Sequence, residues 1–169
     1  MITRKILLLG EIGVGKTSLV RRFVLDELPT DYQATMGVDL YRYELKGLGP
    51  AKDRAIELVI WDTDGSYGHS IFSHVYAKGA SGALIVGDVT RPTTLEHMAA
   101  LAEAFTDAMP SRHFSLVLNK VDLTPPDDKL LPEPIRRSRQ PKVWTSAMTA
   151  ENVNVAFRET ADAIVRREC

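Results

Sequence analysis

Cysteine is almost absent from this sequence of 169 residues, since the single one, Cys169, is the last residue. Without a second thiol the chain cannot form an internal disulfide bond, which favours a reducing compartment, and we expect a cytoplasmic protein. A surplus of one charge is absent too, because 21 lysines and arginines are balanced by 22 aspartates and glutamates. This balance argues against binding to nucleic acid or to an anionic membrane surface through bulk electrostatics.

Long apolar runs, internal repeats and low-complexity segments are also missing. The first apolar stretch, "ITRKILLLG" at 2–10, is too short to cross a membrane and lacks the cleavage pattern of a signal peptide. The chain length is typical of one domain, and 44% hydrophobic residues are enough to build a buried core. We therefore predict a single domain over residues 1–169.

Hydrophobic periodicity predicts strands that alternate with helices. The predicted strands are 5–10, 37–45, 54–62, 82–89, 114–120 and 141–147. Amphipathic helices are predicted at 16–28, 93–109 and 150–167. This order predicts an α/β fold, with a mainly parallel sheet that helices cover on both faces.

Two local patterns refine this prediction. Thr93 and Glu96 follow Pro92 with the spacing of a capping box at the start of the second helix. Between Leu123 and Lys142 the chain carries five prolines, at 125, 126, 132, 134 and 141. Because proline inside a helix costs about 3 kcal/mol, we expect any helix in this stretch to be short or broken.

The strongest motif is "GEIGVGKT" at 10–17, which fits G-x-x-x-x-G-K-[ST] between a predicted strand and a predicted helix. Backbone N–H groups of residues 13 to 17 are expected to surround nucleotide phosphates at the helix N-terminus. Lys16 is expected to reach the β- and γ-phosphates, and the Thr17 hydroxyl to ligate Mg²⁺. The predicted phosphate-binding residues are Gly13, Val14, Gly15, Lys16, Thr17 and Ser18.

A second motif, "NKVD" at 119–122, follows a buried strand at the edge where doubly wound sheets bind ligands. The Asp122 carboxylate can accept two hydrogen bonds from guanine, a donor pair that adenine lacks. Asn119 is expected to tie this loop to the phosphate loop, while the stem of Lys120 covers one face of the base. The predicted base loop is completed by Ser146, Ala147 and Met148, where the Ala147 N–H would meet the guanine carbonyl.

With these motifs in order, the chain resembles the Ras-superfamily small GTPases over nearly its whole length. The segments "YQATMGVDL" at 32–40 and "GDVT" at 87–90 are most similar to the Rab branch. The resemblance implies a P-loop NTPase fold, with a doubly wound, six-stranded, mainly parallel sheet and about five helices. It also implies GTP or GDP with Mg²⁺, and a monomer that meets effectors, a GAP and an exchange factor through switch segments 29–39 and 63–76.

The resemblance assigns roles to further residues. Thr35 matches the threonine that contacts Mg²⁺ and the γ-phosphate, and Asp62 matches the acid that holds Mg²⁺, so the implied metal ligands are Thr17, Thr35 and Asp62. Gly65 matches the glycine whose N–H meets the γ-phosphate. The implied catalytic residues are Lys16, Thr35, Gly65 and the residue at position 66, which is Ser66 here.

Three departures from the family surround the γ-phosphate position. Ser66 stands where the family has its water-positioning glutamine, and its side chain is shorter than that amide. Ile12 replaces a small residue and would crowd the attacking water and an incoming arginine. Asp64 brings a carboxylate toward a highly negative phosphate unless it is paired or turned away. We therefore predict that the protein holds its nucleotide well and hydrolyses GTP poorly without help.

Other departures concern nucleotide release, rescue of catalysis and membrane attachment. Leu28 replaces an aromatic residue beside the base and Met148 replaces a lysine, which together predict faster release. Tyr67 or His69 could supply a proton donor or acceptor in place of the glutamine, but we favour both as exposed partner contacts. A CaaX signal needs its cysteine four residues from the end, so Cys169 predicts no stable membrane anchor.

Two further functional hypotheses remain beside the regulatory GTPase. One is an interaction module that keeps GTP bound and does not hydrolyse it, which Ile12, Asp64 and Ser66 favour and Thr35 and Gly65 do not. The other is a P-loop kinase that acts on a small acceptor. The kinase fits poorly because the chain shows no lid or acceptor site and because "NKVD" would then have no purpose.

Overall fold

The structure, a computed structural model, describes residues 1–28, 35–73 and 77–168. Six strands form one sheet in the order β2-β3-β1-β4-β5-β6. The strands are β1 (Ile2–Leu9), β2 (Val38–Leu48), β3 (Arg54–Thr63), β4 (Gly82–Asp88), β5 (His113–Asn119) and β6 (Lys142–Thr145). Only β2 and β3 pair antiparallel, and every other neighbouring pair in this sheet is parallel. The predicted α/β fold with a six-stranded, mainly parallel sheet is confirmed.

Four α-helices lie in the described part of the chain, where about five were expected. They are α1 (Lys16–Leu25), α2 (Pro92–Ala108), α3 (Glu133–Arg136) and α4 (Val153–Arg166). Short 3-10 segments occupy Gly65–Ser73 and Asp128–Leu130. Among the described helices none is both long and apolar enough to cross a membrane.

The helices cover both faces of the sheet because alternate residues of the central strands point to opposite sides. Ile6 and Leu8 of β1 are buried against α1 and α4, while Leu7 and Leu9 are buried against α2. β4, β5 and the second half of β1 are buried throughout, as expected for parallel strands covered on both faces. The core consists of two clusters, one on each side of the sheet.

The proline-rich stretch forms the short helix that its composition predicted. α3 has four residues, begins after Pro132 and anchors the stretch through Ile135, which is 1% exposed. The predicted capping box at Thr93 is wrong. α2 begins one residue earlier, at Pro92, whose missing N–H costs nothing in the first helical position, and Thr93 lies inside the helix.

Packing of α1 determines where the loop before it can lie. The ring of Phe23 stacks on the ring of Phe157 in α4, with centroids 4.4 Å apart and planes 6° apart. Phe23 also meets Tyr43 of β2 at 4.5 Å. Because α1 packs against both α4 and the sheet, its first turn is held at the end of β1.

Replacement of the central ring, Phe157→Ala, should lower the free energy of unfolding by about 3–5 kcal/mol, because Phe157 is fully buried and its loss leaves a cavity under α1. Urea denaturation of the purified variant checks this. Val155→Ala on the exposed face of the same helix serves as the control and should cost about 0.5 kcal/mol or less. Equal effects of the two changes would contradict the assigned core.

Candidate functional site

The predicted site residues meet at one edge of the sheet. β1, β3, β4, β5 and β6 run parallel, so their carboxyl ends share that edge. Pairing places Leu8 of β1 opposite Asp62 of β3, and Asn119 of β5 opposite both Asp88 of β4 and Thr145 of β6. Polar side chains that lie up to 83 positions apart in the chain are thereby brought onto the loop that follows β1.

The loop from residue 10 to 15 adopts a conformation that requires glycine. Gly13 and Gly15 have φ angles of 82° and 103°, in the left-handed region that side chains disfavour. A Cβ at Gly15 would also collide with the side-chain amide of Asn119. The glycines of the motif therefore permit both the turn and a close approach of the base loop.

Side-chain donors bind the carbonyl groups of this loop. Lys16 Nζ donates to the carbonyl oxygens of Gly10 at 2.7 Å and Glu11 at 2.9 Å. Lys120 Nζ donates to Gly13 O at 2.9 Å, and Asn119 Nδ2 donates to Val14 O at 3.0 Å. In a trans peptide the N–H points away from its carbonyl, so each of these bonds also fixes the direction of one N–H group of the loop.

Lys16 carries a positive charge inside this loop with little solvent around it. Its side chain is 6% exposed, and burial lowers the pKa of the ammonium group to about 8 although Asp62, Asp64 and Glu11 act to raise it. Both hydrogen bonds of its ammonium group described above go to uncharged carbonyl oxygens, so they do not neutralise its charge. The arrangement therefore favours an anionic ligand.

Three of the predicted residues offer oxygen atoms beside Lys16. The Thr17 hydroxyl donates to Asp62 Oδ2 at 2.5 Å and lies 2.8 Å from the Thr35 hydroxyl, which is 3.5 Å from the same oxygen. Asp62 is fully buried, and burial raises the pKa of its carboxyl. Its Oδ1 is buried without a hydrogen-bond partner among the described residues. Such an atom needs a partner to offset its desolvation.

This oxygen set fits Mg²⁺. Magnesium prefers hard oxygen ligands and is usually bound by one or two carboxylates together with substrate phosphates and water. One carboxylate and two hydroxyls, with the unsatisfied Asp62 oxygen among them, match that pattern. No cluster of three or more His, Cys, Asp or Glu side chains suited to a metal occurs within residues 1–28, 35–73 and 77–168.

The segment after β3 packs directly on the phosphate loop. A Cβ added to Gly65 would lie 2.5 Å from the backbone nitrogen of Ile12 and 2.8 Å from Gly10 O, so no larger residue fits there. The Asp64 carboxylate accepts a hydrogen bond from the Ser66 N–H at 2.8 Å, which lowers the pKa of Asp64. Asp64 is thus paired with the first turn of the 3-10 segment.

The two other positions at which the chain departs from the family near the γ-phosphate, 12 and 66, are exposed to solvent. The Ser66 side chain is exposed, and Ile12 is 43% exposed on the phosphate loop. The side chains of Tyr67 and His69 lie outside the described residues, as do parts of the segments 29–39 and 63–76 and all of Cys169. The structure therefore tests neither side chain as a substitute for the glutamine.

The base-recognition residues form a second group. Asp122 is exposed, and its Oδ1 accepts a hydrogen bond from the Ser146 hydroxyl at 2.8 Å. The Ser146 hydroxyl in turn accepts from the Thr149 N–H at 3.1 Å. Ala147 is buried, whereas the Met148 side chain is 64% exposed. The Asp122 carboxylate is thus held in place at the mouth of the site with its second oxygen available.

Two residues to which the sequence analysis assigned no role also support the site. Arg22 of α1 donates to the carbonyl oxygens of Ala147 and Met148, each at 2.9 Å, and so joins the base loop to the helix that begins at Lys16. Asp88, fully buried, forms an ion pair with Lys120 at 2.8 Å. Although burial acts to raise the pKa of Asp88, the hydrogen bonds from Lys120 and Thr90 hold it below its usual value.

Comparison with known proteins agrees with this geometry. A family model described as Ras family matches residues 5–166. Ras-related protein Rab-4B of Homo sapiens is 33% identical over 167 residues, which is 96% of this chain and 76% of the relative. Ras-related protein RABA2a of Arabidopsis thaliana is 32% identical over 168 residues, covering 96% and 75%. RABA1b of the same plant is 34% identical over 170 residues, again covering 96% and 75%.

Removal of the amide that links the two loops, Asn119→Ala, should lower the free energy of unfolding by about 2 kcal/mol. The change leaves the buried Val14 carbonyl and the Thr145 hydroxyl, which donates to Asn119 Oδ1 at 3.0 Å, without partners. Urea denaturation measures the loss. Asn154→Ala, on the exposed face of α4, should leave stability unchanged or slightly higher, and a similar loss in both variants would contradict the bridging role.

Proposed function

Since the chain belongs to the Ras family and is a Rab-like small GTPase, we propose that it binds GTP and GDP together with Mg²⁺ and hydrolyses GTP slowly without a partner. The observation that carries the proposal is the phosphate loop, whose carbonyls are bound by side-chain donors that include the buried Lys16. This arrangement offers N–H groups and one buried positive charge to an anionic ligand. Nucleotide phosphates supply the matching negative charge.

Guanine selectivity follows from the second group of residues. In this proposal the Asp122 carboxylate, held by Ser146, accepts two hydrogen bonds from guanine and leaves an unpaired acceptor against adenine. The Ala147 N–H meets the guanine carbonyl, and the stem of Lys120 covers the base. Arg22 keeps this loop near α1 through the backbone of residues 147 and 148, so its position does not depend on the exposed Met148 side chain.

Bound Mg²⁺, held by Thr17, Thr35 and Asp62, would supply positive charge to the phosphates. Lys16 orients the phosphates from inside the loop, and Gly65, which packs against Ile12 and Gly10, presents its N–H beside them. Hydrolysis then requires in-line attack of a water molecule on the γ-phosphate. The residue that would orient this water is missing, because Ser66 is short and exposed.

Regulation would follow the presence of the γ-phosphate. Contacts of Thr35 and Gly65 with the GTP state would order segments 29–39 and 63–76, and hydrolysis would release them. Effectors would read this difference on a cytoplasmic monomer, while an exchange factor reloads it. A GAP would have to supply a water-positioning group as well as an arginine, since position 66 offers no amide.

Single-turnover hydrolysis of GTP preloaded with Mg²⁺ at about 25 °C tests the proposal. The wild-type rate should be at or below roughly 10⁻⁴ s⁻¹, the scale of an unassisted switch protein. Ser66→Gln restores an amide beside the γ-phosphate and should raise the rate at least about fivefold, although Ile12 limits the gain. Production of GDP is measured over several hours after removal of free nucleotide.

Ser111→Gln, which adds the same amide at an exposed position on the opposite edge of the sheet, is the control and should leave the rate unchanged. A fast wild type would mean that another group positions the water. Absence of GDP from both wild type and Ser66→Gln would favour the GTP-bound interaction module, and failure to load GTP at all would overturn the proposed function.

A further inference from the structure

Arg91 contacts the one carbonyl between Gly10 and Val14 that Lys16, Lys120 and Asn119 leave free. Its Nη1 donates to Ile12 O at 3.1 Å, and its Nη2 lies 3.5 Å from the carboxylate of Glu11. From this geometry we infer that Arg91 is a positioning residue for the nucleotide phosphates. The inference rests on the proposed function, because it concerns the ligand of the same loop.

The backbone of Arg91 is fixed by the segment that links β4 to α2. Its N–H donates to Asp88 O at 3.0 Å. Its carbonyl accepts from the Thr94 N–H at 2.9 Å and from the Thr94 hydroxyl at 2.7 Å. Pro92, the first residue of α2, restricts the chain immediately afterwards. With both backbone groups bound, the side chain reaches the phosphate loop from a rigid base.

With the bond from Arg91 to Ile12 O, every carbonyl from residue 10 to residue 14 accepts a hydrogen bond from a side chain. Three of the four donor side chains, those of Lys16, Arg91 and Lys120, are cations. The carbonyl of Ile12 belongs to the peptide whose N–H is that of Gly13. A guanidinium on this carbonyl fixes the direction of the Gly13 N–H and polarises it, which strengthens its hydrogen bond to an anion.

The ion pair with Glu11 does not cancel this effect. Its closest approach is longer than the bond to Ile12 O, and both side chains are more than one-third exposed, so solvent screens their attraction. Arg91 therefore acts in two ways, as a hydrogen-bond donor to the loop and as a positive charge beside it.

The same segment also directs a second donor. Asp88, three positions before Arg91, pairs with Lys120, whose Nζ donates to the next carbonyl of the loop, that of Gly13. The turn between β4 and α2 thus determines the orientation of two successive peptides, one through Arg91 and one through Lys120. Loss of the Arg91 side chain alone leaves the Asp88–Lys120 pair in place. The contribution of Arg91 can therefore be measured separately from that of Lys120.

Release of N-methylanthraniloyl-GDP from the full-length, Mg²⁺-loaded protein tests this role, with excess GDP as the chase. Arg91→Ala should release the nucleotide about five- to tenfold faster, because it removes a charged donor from the loop. Arg91→Lys keeps the charge and one donor and should show an intermediate rate. The difference between wild type and Arg91→Ala should shrink in 1 M salt, which screens an exposed charge.

The matched control is Arg112→Ala, which removes the same charge from an exposed position before β5, at the opposite edge of the sheet. Its release rate should stay within about twofold of wild type, as should the melting temperatures of all loaded variants within a few degrees. Release from Arg91→Ala at the control rate would overturn the inference. So would acceleration without any rescue by lysine and with a large loss of thermal stability, which would indicate a structural role.

Binding of the labelled GDP by wild type and by Arg112→Ala distinguishes a failure of this inference from a failure of the proposed function. If neither binds the labelled GDP, the proposed function fails. If both bind and Arg91→Ala behaves identically to them, the nucleotide site stands and only the role of Arg91 is wrong.

Discussion

Fixation of the carbonyls in residues 10–14 by side-chain donors is the constraint on which this structure depends. A peptide group is a dipole, and a loop of unrestrained dipoles offers no preferred charge to a ligand. Here the carbonyls are bound by side chains from α1, from the end of β5 and from the start of α2. The N–H groups at the opposite ends of the same peptides are then fixed in direction as well, which is an arrangement suited to an anion.

The sheet lowers the cost of burying these polar groups because it brings their side chains together at one edge, where they hydrogen-bond to one another. Asn119 bonds both Val14 and Thr145, and Asp88 bonds Lys120, so most of the buried polar atoms there have partners. Asp62 is the exception, with one carboxylate oxygen unpaired in a fully buried side chain. A buried acceptor without a partner is unfavourable unless a cation or donor binds it. The unpaired oxygen of Asp62 therefore lies close to the hydroxyl oxygens of Thr17 and Thr35.

The sequence was sufficient for the parts of the fold and site that depend on local pattern. Apolar runs predicted all six strands, and contiguous motifs predicted the residues that meet at the edge of the sheet, because each motif is short and has one conformation. Arg22, Asp88 and Arg91 could not be predicted in this way. They bind backbone carbonyls or another motif's lysine, and Arg91 lies 79 positions from its partner Ile12, so no spacing marks them. The start of α2 was also missed, because Pro92 occupies the first helical position without needing a side-chain cap.

A comparison of the two sides of the γ-phosphate position gives one explanation for the departures from the family. On the loop side, side chains bind each successive carbonyl, and Gly65 packs so closely that a Cβ would clash. On the side of the attacking water, Ser66 is exposed and Asp64 is used to cap the 3-10 segment through the Ser66 N–H. The pairing lowers the pKa of Asp64, which makes its carboxylate a weaker base toward a water molecule. In the proposed function, binding of phosphate and activation of water are therefore assigned to different residues, and only the phosphate-binding set is complete in this chain. Loss of a water-positioning side chain would then slow turnover without weakening nucleotide binding, because that interaction is made only in the transition state.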